Sequence, residues 1–125
     1  MAHKDFHLGD VLSITTGVLL SPRRMAGVYD ILNWMSGDNL FTHQLPRVAR
    51  EASSVLLRAH PDLATVEKPT LKPDEVDPWL VEQVAKFGEI VAVPKMTADE
   101  HESIDPMSEL VERVHPDKII KINVR

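Results

Sequence analysis

Cysteine is missing from the 125-residue chain, which excludes disulfide bridges, a thiolate nucleophile and any Cys-based zinc or iron–sulfur site, and fits a reducing compartment. Long apolar runs are missing too. No stretch approaches the roughly 18 apolar residues of a transmembrane helix. The opening Met1-Ala2-His3-Lys4-Asp5-Phe6-His7 lacks the apolar core of a secretory signal. The expectation is a protein that stays in the cytoplasm where it is made, with no membrane partner. Catalytic signatures are absent as well. There is no Gly-x-x-x-x-Gly-Lys-Ser/Thr loop, no Gly-x-Gly-x-x-Gly, no His-Glu-x-x-His and no Gly-x-Ser-x-Gly. Nucleotide hydrolysis by the common folds, zinc proteolysis and α/β-hydrolase chemistry are therefore disfavoured, and no cofactor or metal is expected.

What is present reads as an ordinary globular protein. Hydrophobic residues make up 43% and charged residues 26% of the chain, enough for a folded core. The length allows one domain and leaves no room for two independent cores. The net charge of −5 argues against direct binding to duplex nucleic acid, which is driven by displacing counterions with many Lys and Arg. Charge is unevenly placed: residues 1–62 carry six basic and six acidic side chains, and residues 63–125 carry eight basic and thirteen acidic ones. Five of the seven arginines lie in the first half (Arg23, Arg24, Arg47, Arg50, Arg58). Arginine reads phosphate and carboxylate with a planar fork, so the first half is the place to look for anion recognition. Solvation of helix faces is the plainer alternative.

The run Leu8 to Ser21 is rich in apolar and β-branched types. It predicts a strand from Val11 to Thr15, a turn at Thr16-Gly17 and a second short strand ending at Leu20. Ser21-Pro22 then signals a helix running from about Pro22 to Ser36, with Gly37 as its left-handed stop. Leu45, Val48, Ala49, Ala52, Val55, Leu56 and Ala59 recur at helical spacing and predict a second helix, opened near Pro46 and closed by His60-Pro61. From Pro61 to Pro78 the chain holds four prolines and no apolar period, which reads as an extended connector. Asp77-Pro78 opens a third helix that stops at Gly88. Ile90 to Val93 reads as a strand, Asp105-Pro106 opens a fourth helix, and Ile119 to Val124 reads as a last strand. Leu80-Val81-Glu82 after one Asp-Pro and Leu110-Val111-Glu112 after another suggest either two helix–strand units or a coincidence between amphipathic helices. The expected fold class is α+β: one compact domain, residues 1–125, with a small mixed sheet covered by about four helices. A Pro-rich connector at about 61–78 would join a β/two-helix part to a helix–strand–helix–strand part, and the last two strands would pair in parallel through a right-handed crossover.

The candidate ligand-binding residues are Ser13, Thr15, Thr16, Arg23, Arg24, His43 and Arg47. Hydroxyls beside Gly17, arginines in a helix's first turn and a histidine entering the next helix would together suit a phosphate-like anion. First-turn arginines are electrostatically unfavourable unless an anion lies nearby. That anion can equally be Asp5, Asp10, Asp38 or a partner's carboxylate. His43 reads as a structural histidine or a general base, while His60 and His115 read as helix-end caps. Asp99-Glu100-His101-Glu102 with Asp105 lacks the glycine and spacing of an EF-hand, and reads as a solvated loop or a face for a basic partner. Trp34, Trp79, Phe41, Phe87 and Tyr29 read as packing residues.

Leu-Gly-Asp-Val-Leu-Ser-Ile-Thr-Thr-Gly (8–17), Gly-Val-Tyr-Asp-Ile-Leu-Asn (27–33) and Gly-Asp-Asn-Leu-Phe-Thr-His-Gln-Leu-Pro-Arg (37–47) resemble segments of small uncharacterised proteins of tailed phages and prophages. The resemblance continues weakly to His115-Pro116-Asp117-Lys118-Ile119. It implies a setting, the bacterial cytoplasm and the accessory gene pool, and brings no catalytic residues. Small size, missing enzyme motifs and this resemblance together point to a non-enzymatic phage-type accessory protein. It would bind a host or defence protein, with an anti-defence role among the options and homo-oligomerisation left open. The alternative is a small protein that binds or processes a nucleotide-like anion through the arginines of the first half. An inert virion accessory is a third reading.

Overall fold

The computed structural model describes residues 2–114. Strand β1 (His3–His7) pairs antiparallel with β2 (Ile90–Pro94) in a two-stranded sheet, from His3 opposite Pro94 to His7 opposite Ile90. Sequence periodicity gave no sign of β1. Its stability is tertiary: Phe6 is buried opposite the buried Val91, and Lys4 reaches the rings of Phe6 and Trp34.

Directly after β1 the chain forms helix α1 (Leu8–Thr16), where β-branched content predicted a strand. Intrinsic preference lost to burial. Leu8, Val11 and Leu12 have no accessible surface and every residue from Leu8 to Ile14 is buried, so tertiary packing around this stretch overrides its local strand preference. His7 caps it, its Nδ1 accepting from the Gly9 N–H at 2.9 Å. Thr16-Gly17 is not a hairpin turn: Gly17, at φ 78°, is the left-handed C-cap, and its N–H donates to Ser13 O. The second strand expected up to Leu20 is also absent. Leu20 instead buries its side chain and donates its N–H to Ser13 Oγ at 2.8 Å. Gly9 permits this close return, because a Cβ there would meet Leu20 O at 2.7 Å and Pro22 Cδ at 2.8 Å.

Helix α2 (Met25–Ser36) ends at Gly37 as the sequence indicated, but starts three residues later than expected. The Ser21 hydroxyl does cap, yet what it caps is a separate turn. It accepts from Arg23 N, while Ser21 O accepts from Arg24 N. Arg24 then adopts φ 58° and ψ −137°, a conformation costly for a residue with a Cβ, which separates that turn from the helix. Helix α3 (Leu45–Ala59) follows a short 3-10 turn (Thr42–Gln44) and matches the predicted span. The connector contains 3-10 turns at Pro61–Thr65 and Pro73–Glu75 and leads to α4 (Val76–Phe87). Residues 95–105 bond to Met35 near the end of α2 and to Arg47, Glu51 and Arg58 along α3, and lead to α5 (Pro106–Val114).

The class is α+β in a small single domain, with α1 packed against α2, α3 and the sheet. Among the described residues the sheet is antiparallel only. The expected strand at 119–124, the crossover that would make the sheet mixed, and His115 lie outside them. None of the described helices is long and apolar enough to cross a membrane.

Candidate functional site

A buried carboxylate organises the start of α1. Asp10 is 1% exposed, accepts the Ser21 hydroxyl, and pairs with Arg23 Nη2 at 3.1 Å. The guanidinium also bonds Asp30 on α2, and its pKa is raised by the hydrogen bonds to Asp10 and then Asp30. Position 10 lies in the first turn of α1, where the helix dipole favours an anion. Gly27 makes the arrangement possible, because a Cβ there would collide with Ser21 Oγ and Asp10 Oδ1. The anion that first-turn arginines call for is, for Arg23, supplied by this chain.

A second polar assembly lies where residues 96–109 meet α2 and α3. Arg47 on α3 grips Glu109 of α5 with a two-point fork, Nε to Oε2 at 2.7 Å and Nη2 to Oε1 at 2.9 Å. Its Nη1 donates to Glu51 and to the Glu102 carbonyl. Gln44 donates to Glu109 Oε1 and to Ile104 O. The hydrogen bond from Arg47 holds the Glu109 carboxyl below its ordinary range despite burial, and that bond likewise raises Arg47. His101, 8% exposed, sits between carboxylates, Nδ1 2.7 Å from Glu51 Oε1 and Nε2 2.8 Å from Asp38 Oδ2. A neutral imidazole has one N–H, so only the cation donates to both. Burial opposes that charge, but the bonds to Asp38 and Glu51 outweigh it and raise the pKa. The His101 bond in turn lowers Asp38, with further help from Ser103.

The third feature is a groove of about 500 Å³ between the C-terminal half of α1, the start of α2 and α3, a volume in the usual range of ligand sites. Its walls include Ile14, Val18, Leu19, Met25, Val28 and Ala49, of which Leu19 and Met25 are exposed large apolar side chains. Arg50 is, among the described residues, the only ionisable one lining it. Among the described residues Arg23, Arg47 and Arg58 are in salt bridges, whereas no salt bridge engages Arg50. Thr15 also lines the groove, and its hydroxyl is the one buried side-chain polar atom among the described residues without a hydrogen-bond partner. Ser13 and Thr16 spend theirs on Gly9 O and Leu12 O.

The seven candidate residues are thus dispersed. Ser13, Thr15 and Thr16 line the groove, and none of Arg23, Arg24, His43 or Arg47 does. Arg23 is tied to Asp10 and Asp30, Arg24 forms the strained lead into α2, and His43 Nε2 bonds the Pro106 carbonyl at 2.7 Å. Arg47 belongs to the Glu109 assembly. The acidic run at 99–102 is not simply solvated, since Glu100 pairs with Arg58 and His101 is buried. Among the described residues no group of three or more His, Asp or Glu side chains is arranged to hold a metal ion. Sequence reasoning did not mark Arg50, His101 or Glu109 as site residues, and it offered Asp10 only as one of several anions that could face the arginines. For Asp10 a signal existed: it is the one charged residue in the apolar run from Leu8 to Leu20, and a charge inside a core needs a partner.

Residues 6–66 match a family model described as a domain of unknown function (DUF7736). The matched stretch contains every groove residue and the Asp10 assembly, and stops short of the 96–109 segment. No curated protein and no solved structure matches the chain.

Proposed function

We propose that the protein is a non-enzymatic accessory protein of the phage type that binds a host or defence macromolecule in the bacterial cytoplasm. The groove carries this reading. The polar side chains best suited to chemistry are engaged in structural pairs within this chain: Asp10 with Arg23, Arg47 with Glu109, and His101 with Asp38 and Glu51. The groove instead offers apolar walls, exposed Leu19 and Met25 and an unengaged guanidinium, the composition of a docking surface. A nucleotide-like anion held by Arg23, Arg24, His43 and Arg47 has less support, because Arg23 and Arg47 already hold carboxylates of this chain and none of the four lines the groove.

Affinity capture from bacterial lysate tests the reading, with the wild type beside Leu19→Asp/Met25→Asp, both exposed positions. The expected result is a protein retained by the wild type and lost by the variant. Identical capture by both, together with a mono- or dinucleotide that raises the wild-type melting temperature and fails to do so in Arg23→Ala/Arg24→Ala, would favour the anion reading.

A further inference from the structure

The groove's walls also specify the chemistry of what fills it. We infer that the occupant is an amphipathic helix of the partner whose apolar stripe enters the groove and whose flank presents a Glu or Asp to Arg50; the inference rests on the macromolecule-binding reading above. A helix is favoured because the groove lies among helices, and because Pro46, Ala49 and Ser53 put short side chains at helical spacing along one wall, which lets another helix axis approach closely. Strand addition needs a sheet edge, and none of the groove's residues lies in β1 or β2. The acidic flank follows from charge. Among the described residues no Asp or Glu lines the groove, and the only ionisable group there is Arg50, exposed and outside every salt bridge. Arg24, next to the groove residue Met25, is likewise outside every salt bridge described. In a chain of net charge −5, this is a local positive surface around an apolar slot, complementary to an apolar stripe with an acidic border.

The test uses the full chain and a displayed library of helical peptides, with Leu, Ile or Met fixed at three- and four-residue spacing and the flanks randomised among Glu, Lys and Gln. The wild type is expected to enrich Glu at one flank. Arg50→Glu, at an exposed position that leaves the fold alone, should enrich Lys at that same flank, and Leu19→Asp/Met25→Asp should enrich nothing above background. A selected Glu peptide should bind Arg50→Glu about tenfold more weakly at low salt, with the gap closing as salt rises. Glu and Lys enriched alike by the wild type, or no enrichment over the Leu19→Asp/Met25→Asp background, would overturn the inference. So would displacement of the peptide by dodecanoate with a rise in melting temperature from dodecanoate alone, which would make the groove a small-amphiphile site. If lysate capture is still lost in Leu19→Asp/Met25→Asp while the library yields nothing, the helix is wrong and the binding reading stands. If both fail, the binding reading falls as well.

Discussion

Leu12, Ile31, Leu32, Val48 and Leu56 meet at the centre of α1, α2 and α3 with no accessible surface. The segment from Met96 to Glu109 is fastened to that body chiefly by polar contacts: Met96 N to Met35 O, Arg58 to Glu100, His101 to Asp38 and Glu51, and Arg47 to Glu109. Apolar burial is nondirectional and indifferent to pH over the ordinary range. Charge-assisted hydrogen bonds are directional and follow the protonation of their members. The body should therefore melt as one unit, and the segment that straps its end should open first and in a pH-dependent way. The groove lies on the body, so whatever binds there addresses the rigid part of the molecule.

Leu12→Ala should produce the largest effect. Leu12 is fully buried in α1, and deleting its side chain should cost about 2–5 kcal/mol, seen as a lower denaturant midpoint with the slope unchanged. A surface-like loss below about 0.5 kcal/mol would mean that α1 is not central. Gly27→Ala comes next. Its Cβ must push apart Ser21 and Asp10, for an overpacking cost of about 1–3 kcal/mol. Ser21→Ala in the same chain should relieve part of that cost by removing one of the colliding atoms. Equal stability of the glycine and alanine forms would remove the Asp10 assembly from the account.

The strap separates from the body along the pH axis. His101 has a raised pKa in the folded protein, so its stabilisation is complete below the ordinary imidazole value near 6.5 and disappears as pH rises through the folded value. Asp38 and Glu109 have lowered pKa values. Their contribution is present above the ordinary carboxylate range and is lost as pH falls through the folded values. Hydrogen-exchange protection at Met96 and Glu102, whose N–H groups bond Met35 O and Glu51, should decline from mildly acidic to alkaline pH once corrected for intrinsic exchange. Protection in α1 should hold, and His101→Gln should abolish the strap's dependence. A parallel decline in both regions would erase the distinction. The smallest effect belongs to Thr15→Val in the free protein. Replacing an unpartnered buried hydroxyl by a methyl of similar shape should leave the melting temperature unchanged or slightly raised, and a fall of several degrees would give Thr15 a structural bond it does not show.

Local punctuation made much of the fold legible. Gly37, Pro46, the His60-Pro61 pair, Gly88 and Asp105-Pro106 mark where α2 ends, where α3 runs, where α4 ends and where α5 begins, because proline and glycine act through their own backbone geometry. What failed depends on partners distant in sequence. Val11, Ile14 and Thr15 read as a strand because β-branched residues favour one, and only surrounding α2, α3 and the sheet make that stretch a buried helix. β1 needed Val91, far along the chain, to exist as a strand. The site was half legible for the same reason. The hydroxyls of Ser13, Thr15 and Thr16 were singled out and do line the groove, but the partners that occupy Arg23 and Arg47, Asp10 and Glu109, sit 13 and 62 residues away. Arg50, left unengaged by that pairing, had no local mark.

The division between a binding body and a structural strap can be tested by one capture experiment from bacterial lysate. It would compare the wild type with Leu19→Asp/Met25→Asp in the groove and His101→Gln in the strap, all at pH 7 and below their melting temperatures. The account predicts that the protein retained by the wild type is lost with the groove variant and kept with the strap variant. Retention by the groove variant together with loss from the strap variant would contradict it, and would move the binding surface to residues 96–109.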